Sequence, residues 1–281
     1  MRSFVQGSIF ISLALLGALG SADDGSSFVK PLVWYSFDGD LNDRTPGGST
    51  LTPDRKHFLH FGFDPGRDGK NSGAVHGLGI APFPPARLLS LPQWTIVVTV
   101  FAAEPRNITG GQDTSMVFVE ASLEKREDRT ENHAIDPEAF LVPRNSISVT
   151  TCGKDEPPSC GVAAVWLSMP PPDSLDSRGL RLTAPMSSGA WHEITVIYDW
   201  PGRQLAIKVD GVGNTAPLTA PIEPCHGNSL GPCVLEIGGP TEVYDNIEFG
   251  ATDDFKFFAR APWPTNAVTS AKGGLGKALH P

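Results

Sequence analysis

The chain has 281 residues, 40% hydrophobic and 19% charged, which is enough apolar material for a packed core and argues against wholesale disorder. A net charge of −9 leaves no basic footprint and excludes nucleic acid and an anionic membrane surface as expected partners. Its 30 glycines, 26 prolines and 15 phenylalanines favour short strands joined by turns over a helical bundle.

In chain order, residues 1–22 read as a signal peptide. Arg2 precedes an apolar stretch that runs to Gly20, and Gly20 and Ala22 sit where a signal peptidase reads. The stretch is short of the roughly 20 residues that span a bilayer, so a membrane is expected only if this segment is retained as an anchor. The expected location is extracellular or within the secretory pathway, with display at the cell surface left open. Strand-like runs follow at 32–37, 95–101, 115–120, 146–151 and 162–167, then at 180–183, 234–237 and 254–258, with turn residues between nearly all of them. The clearest alternation lies at 191–200. There Ile194, Val196, Tyr198 and Trp200 share one face and Glu193, Thr195 and Asp199 the other, with Ile197 as the exception. After a Pro201-Gly202 turn, Leu205, Ile207 and Val209 alternate with Gln204, Lys208 and Asp210, which makes a hairpin with one dry face. Segments 124–132 and 170–177 read as solvated connections, and 263–281 as a loosely ordered tail. No run sustains a 3.6-residue period. The expectation is an all-β antiparallel sandwich or barrel with few short helices, occupying 28–262 as one domain.

Asn107-Ile108-Thr109 is an acceptor sequence for N-glycosylation. The four cysteines form two pairs of identical spacing, Cys152 with Cys160 and Cys225 with Cys233, each bracketing turn residues. Four thiols can also hold zinc, but the wide spacing and the oxidising compartment favour two disulfides.

Four motifs in order carry a family resemblance. They are Trp34-Tyr35-Ser36-Phe37-Asp38-Gly39-Asp40-Leu41-Asn42-Asp43, then Trp94-Thr95-Ile96-Val97-Val98-Thr99-Val100, then the Trp191-His192-Glu193 strand with its Val209-Asp210-Gly211 turn. The fourth joins Leu235-Glu236-Ile237-Gly238-Gly239 to Thr252-Asp253-Asp254-Phe255-Lys256-Phe257. Together they resemble the laminin-G-like, concanavalin A-like sandwich superfamily of lectins and glucanases. That resemblance implies a two-sheet antiparallel jelly roll, neighbouring first and last strands, a role in binding glycans or proteins, and a structural calcium ion.

The residues supply their own reading of an ion site. Asp38, Asp40 and Asp43 crowd one turn, and Asp253 shares parity with Phe255 and Phe257, which places it on the core face where a lone carboxylate is costly. Hard oxygen donors suit calcium, and the alternative is that these acids only accept backbone N–H bonds. Catalytic signals are poor. Glu242, Asp245 and Glu248 put only the outer two on one face, too far apart for a glycoside hydrolase pair. His57 and His60 sit in a Phe- and Gly-rich stretch, His192 reads as a surface or hydrogen-bonding residue, and Gly211-Val212-Gly213 leads into a proline-ended loop, so no nucleotide site is expected. The expected function is therefore a non-catalytic binding module for glycan or an extracellular protein, with Trp166, Trp200 and Trp263 as candidate stacking residues. The alternative is a structural or protein-interaction subunit of an extracellular or lumenal assembly; a glycoside hydrolase ranks last.

Overall fold

A computed structural model describes residues 30–53, 62–69, 73–76, 78–81, 86–102, 113–122, 145–151, 161–169, 179–223, 233–238 and 250–259. Its early elements are short: β1 (Val33–Tyr35), β2 (Thr52–Pro53), β3 (Gly62–Asp64), β4 (Ala74–His76), β5 (Leu78–Ala81) and the single-turn helix α1 (Ala86–Leu89). Longer strands follow: β6 (Gln93–Ala102), β7 (Asp113–Ser122), β8 (Asn145–Thr151), β9 (Gly161–Leu167), β10 (Leu180–Met186) and β11 (Ala190–Asp199). The last are β12 (Gln204–Val209), β13 (Val212–Pro217), β14 (Cys233–Gly238) and β15 (Gly250–Phe258).

These strands form two antiparallel sheets. The eight-stranded sheet runs β13-β12-β11-β6-β15-β4-β3, with β1 also paired to β15, and the seven-stranded sheet runs β10-β9-β8-β7-β14-β5-β2. The first and last strands are neighbours as expected, with Trp34 opposite Lys256 and Tyr35 opposite Phe255. One hydrophobic core fills the space between the sheets, so the architecture is an all-β sandwich. The alternation read at 191–200 holds, since Ile194, Val196 and Tyr198 are buried while Glu193 is exposed.

Aromatic contacts position the two layers. Phe255 of β15 stacks across on Phe118 of β7 with ring centroids 5.9 Å apart, while within the eight-stranded sheet Trp94 lies 5.2 Å from Tyr198 and 6.0 Å from Phe257. Such pairs add about 0.5–1.5 kcal/mol each beyond the area they bury. The Thr252 hydroxyl donates to the Gly238 carbonyl at 2.6 Å, which ties the last strand of one sheet to the other. At one end Asn145, wholly buried, donates to Glu120 and to the Glu223 carbonyl at 3.2 Å and accepts from the Ser168 amide at 3.1 Å. At one side Asn214 of β13 donates to the Thr183 carbonyl of β10 at 2.7 Å and links the outermost strands of the two sheets.

Two local expectations are corrected. Residues 212–217, read as a loop, form the edge strand β13; its proline stands at the strand end on an outer edge, where a missing N–H costs no ladder bond. Asp253 does not continue the core row. The pairing of β15 with β6 shifts between Thr252 and Asp254, so Asp253 is the extra residue of a β-bulge and the buried row passes from Phe257 and Phe255 to Thr252.

Candidate functional site

The bulge builds an acidic corner. Freed from the ladder, Asp253 accepts a hydrogen bond from the Arg67 amide at 2.7 Å, in the segment between β3 and β4. Its carboxyl is pushed above the usual carboxylate range, first by burial and then by the charges of Asp254, Asp68 and Asp38, against the lowering effect of that amide. Asp254 itself accepts from Trp34 Nε1 at 2.6 Å and pairs with Lys256, whose ammonium lies 5.1 Å from the Trp34 ring centroid.

Two of the four expected ion ligands are committed elsewhere. Asp43 accepts the Trp34 amide at 3.1 Å and the Thr45 amide at 2.8 Å, which welds the turn to β1. Asp40 accepts the Asn42 amide at 2.9 Å and pairs with Arg44 at 3.2 Å. Burial raises the Asp40 carboxyl, but the Asn42 and Arg44 contacts outweigh it and hold the group below its usual range. Asp38 thus acts on Asp253 through its charge, whereas Asp40 and Asp43 are engaged by turn amides and Arg44. Among the described residues, no three His, Cys, Asp or Glu side chains converge to hold a metal ion.

A second constellation lies where the β10–β11 and β12–β13 turns meet. His192 Nδ1 is 2.7 Å from Asp210 Oδ2, and His192 Nε2 is 3.1 Å from Ser187 Oγ and 2.8 Å from the Ser187 carbonyl. The order resembles a nucleophile, base and orienting acid, but three features oppose that use. The carbonyl claims a proton on Nε2 where a general base needs a lone pair, the imidazole is only 7% exposed, and the Asp210 side chain is 52% exposed. The set is a clamp joining two turns, in line with the hydrogen-bonding role read for His192. Asp210 also accepts the Glu193 amide at 2.9 Å. Burial raises the Asp210 carboxyl, but the Glu193 amide, His192 and nearby Arg67 outweigh it and hold the group low.

The tryptophans separate by environment. Trp200 packs against the core, and Arg203 covers its ring at 3.4 Å from the centroid. Trp166 is half-buried on the face of the seven-stranded sheet turned away from the core, since Val165 and Leu167 point inward. Ser146 lies directly opposite it on β8 and Arg181 directly opposite on β10. The exposed Arg181 guanidinium sits 5.3 Å from the Trp166 ring centroid. Sequence reading named Trp166 but missed its two neighbours, because cross-strand adjacency depends on a register that no local pattern specifies.

Other expected positions lie outside the described residues: the leader at 1–22, His57, His60, Asn107, Cys152, Cys160, Cys225, Glu242, Asp245, Glu248, Trp263 and the tail. Cys233 opens β14, but its side chain is outside them too.

No family model matches the chain, and no curated protein matches it. Among solved structures, the botulinum neurotoxin serotype C1 binding domain has 10% identity and a TM-score of 0.44 over 83% of this chain and 49% of its own. The serotype D binding domain has 7% identity and a TM-score of 0.47 over 82% of this chain and 47% of its own. A Ruminococcus gnavus IT-sialidase CBM40 bound to α2,3-sialyllactose has 14% identity and a TM-score of 0.39 over 62% and 79%. The chain spans about half the length of the neurotoxin binding domains it matches.

Proposed function

We propose that the protein is a non-catalytic, secreted or surface-displayed binding module of the laminin-G-like, concanavalin A-like class, and that it recognises glycans through the outer face of its seven-stranded sheet. The observation that carries this reading is Trp166, a large ring half-buried on a face away from the core, with Arg181 and Ser146 as its row neighbours. An aromatic face beside polar groups is the arrangement that stacks on a sugar ring while fixing its hydroxyls. A glycan array probed with the oxidised, secreted chain tests it: saturable binding to a subset of sugars is expected. Flat signal across all sugars, with a protein partner recovered instead, favours the interaction-subunit reading, and release of reducing ends from polysaccharide favours a hydrolase.

The reading extends to a structural calcium ion at Asp38 and Asp253. The carboxyl of Asp253 is raised first by burial and then by the charges of Asp254, Asp68 and Asp38, and a hard cation would relieve the second part, which supports the pair as donors. Asp40 and Asp43 drop out of the proposed set because turn amides and Arg44 occupy them. A thermal melt with and without chelator tests the ion, and an unchanged midpoint removes it. Disulfides Cys152–Cys160 and Cys225–Cys233 and a glycan on Asn107 complete the proposal; peptide mapping under non-reducing conditions checks all three.

A further inference from the structure

We infer that Arg181, set beside Trp166 on the outer face of the seven-stranded sheet, reads an anionic group, so that the glycans bound are acidic, bearing a carboxylate or a sulfate ester. The inference rests on the proposed glycan reading and specifies its ligand class.

Three observations converge on one row of the sheet. Arg181 is exposed on β10, an outermost strand, and among the described residues it contacts the Trp166 ring at 5.3 Å. Among the described residues it has no carboxylate partner, although the chain as a whole is acidic at −9. A guanidinium offers five N–H donors in a planar fork, and stacking on an aromatic ring orients the fork without using those donors. The row itself holds no acid within reach. Glu236 lies on it beyond Val119, Ser146 and Trp166, four strand spacings or about 19 Å from Arg181. Among the described residues the fork is thus oriented and unneutralised.

Next in the row, on the other side of Trp166, Ser146 is 1% exposed and its hydroxyl has no hydrogen-bond partner. A buried hydroxyl left unmade costs free energy, and native folds keep few of them without a reason. Here the orphan hydroxyl, the ring and the fork fall in sequence across adjacent strands about 5 Å apart. Of the three, the half-buried ring and the exposed fork are open to a ligand, and their order matches a sugar held against Trp166 whose anionic substituent meets Arg181 bidentately.

Calorimetric titration of the secreted chain tests this with three oligosaccharide probes: one of uronic acid residues, one neutral of the same linkage, and that neutral one O-sulfated. The wild type is expected to bind at least one charged probe about tenfold to a hundredfold more tightly than the neutral probe. Arg181→Gln is expected to erase that preference, so that charged and neutral probes bind alike. Arg181→Lys, which keeps the charge but not the fork, should retain only part of it. Trp166→Ala should weaken all three probes. Whichever charged probe is preferred identifies the anion as carboxylate or sulfate. Equal binding of charged and neutral probes by the wild type, or an Arg181→Gln variant with its preference intact, overturns the inference while the glycan reading stands. Failure to bind any sugar, on the array or in the titrations, overturns the glycan reading itself. Arg181 is exposed, so melting curves of its variants should match the wild type and keep loss of fold from mimicking loss of recognition.

Discussion

Replacing Asp253 with Asn tests the acidic corner, because the sign of its effect depends on what occupies that corner. With a chelator at pH 7, Asp253→Asn removes one charge facing Asp254, Asp68 and Asp38 and keeps an amide oxygen to accept the Arg67 N–H now made at 2.7 Å. The site is partly open to solvent, so each repulsion is worth a few tenths of a kcal/mol and the gain totals about 1 kcal/mol. For a domain of this size that is about 2–4 °C in the melting midpoint. The pH dependence has a definite sign. The Asp253 carboxyl sits above its ordinary 3.8 in the folded state, so its charge costs stability at neutral pH, and the cost disappears as pH falls through that raised value. The advantage of the Asn variant should vanish over the same window. Asp210 serves as the opposite control, since its carboxyl is held below 3.8. Its stabilisation is fully present above that ordinary value and is lost as pH falls through the lower folded one, so Asp210→Asn should lower the midpoint at pH 7. Adding calcium at a hundredfold over its Kd raises wild-type stability by about 2.7 kcal/mol if the ion binds, and Asp253→Asn then becomes the less stable protein. An Asp253→Asn variant that melts lower than wild type in chelator at pH 7 would refute the repulsion on which this reasoning stands.

The remaining predictions concern single contacts. Phe255→Ala opens a cavity beneath a wholly buried ring stacked on Phe118 and should cost about 3–5 kcal/mol in chemical denaturation; a loss under 1 kcal/mol would contradict the inter-sheet role. Asp43→Ala strips the acceptor from the Trp34 and Thr45 amides and should cost about 1–3 kcal/mol, with amide exchange at Trp34 and Thr45 speeding up first. Ser146→Ala removes a buried hydroxyl that has no partner, so the unliganded chain should gain up to about 1 kcal/mol; a loss in denaturation midpoint would show that the hydroxyl is bonded. Gly213→Ala should be far worse than Gly211→Ala. A methyl at Gly213 would lie 1.9 Å from the Ile207 carbonyl oxygen, whereas Gly211 faces open space and risks only its left-handed φ of 82°, about 1 kcal/mol.

The long strands were legible because one face of each is dry. In β11, Ile194, Val196 and Tyr198 are buried and Glu193 is exposed, so a period of two is written into the composition. Strands β2 to β5 carry no such mark, being two to four residues long and, except for β4, holding a Gly or Pro, which leaves too few positions for alternation to register. Strand β13 escaped for a different reason. Nearly all of it is exposed, so selection for a dry face is absent and Val212, Gly213, Asn214 and Thr215 read as a loop. The outer-face row of Ser146, Trp166 and Arg181 was beyond reach for a third reason, because it depends on the register of three strands, two of them joined through segments of unrelated length.

The acidic corner shows which part of a site reading was recoverable and which was not. Aspartates in a turn have a local use: the side chain accepts the amide two residues ahead and holds the turn closed. Asp40 does this with Asn42, and Asp43 with Thr45, each at a separation of 2 residues. Asp253 instead accepts the amide of Arg67, 186 residues away, and shares its surroundings with acids from two other segments. The distinction is physical: an acid whose own neighbours supply an amide is already satisfied, and one that the fold carries into a group of like charges is not. The parity rule located Asp253 on the wrong face because the bulge at Thr252 and Asp254 adds a residue to the count. That same bulge turns the carboxylate out of the core, where it would have had to be neutral, and into a corner where the charges of Asp254, Asp68 and Asp38 act on it. The irregularity that defeated the sequence rule is thus what places this charge beside other carboxylates.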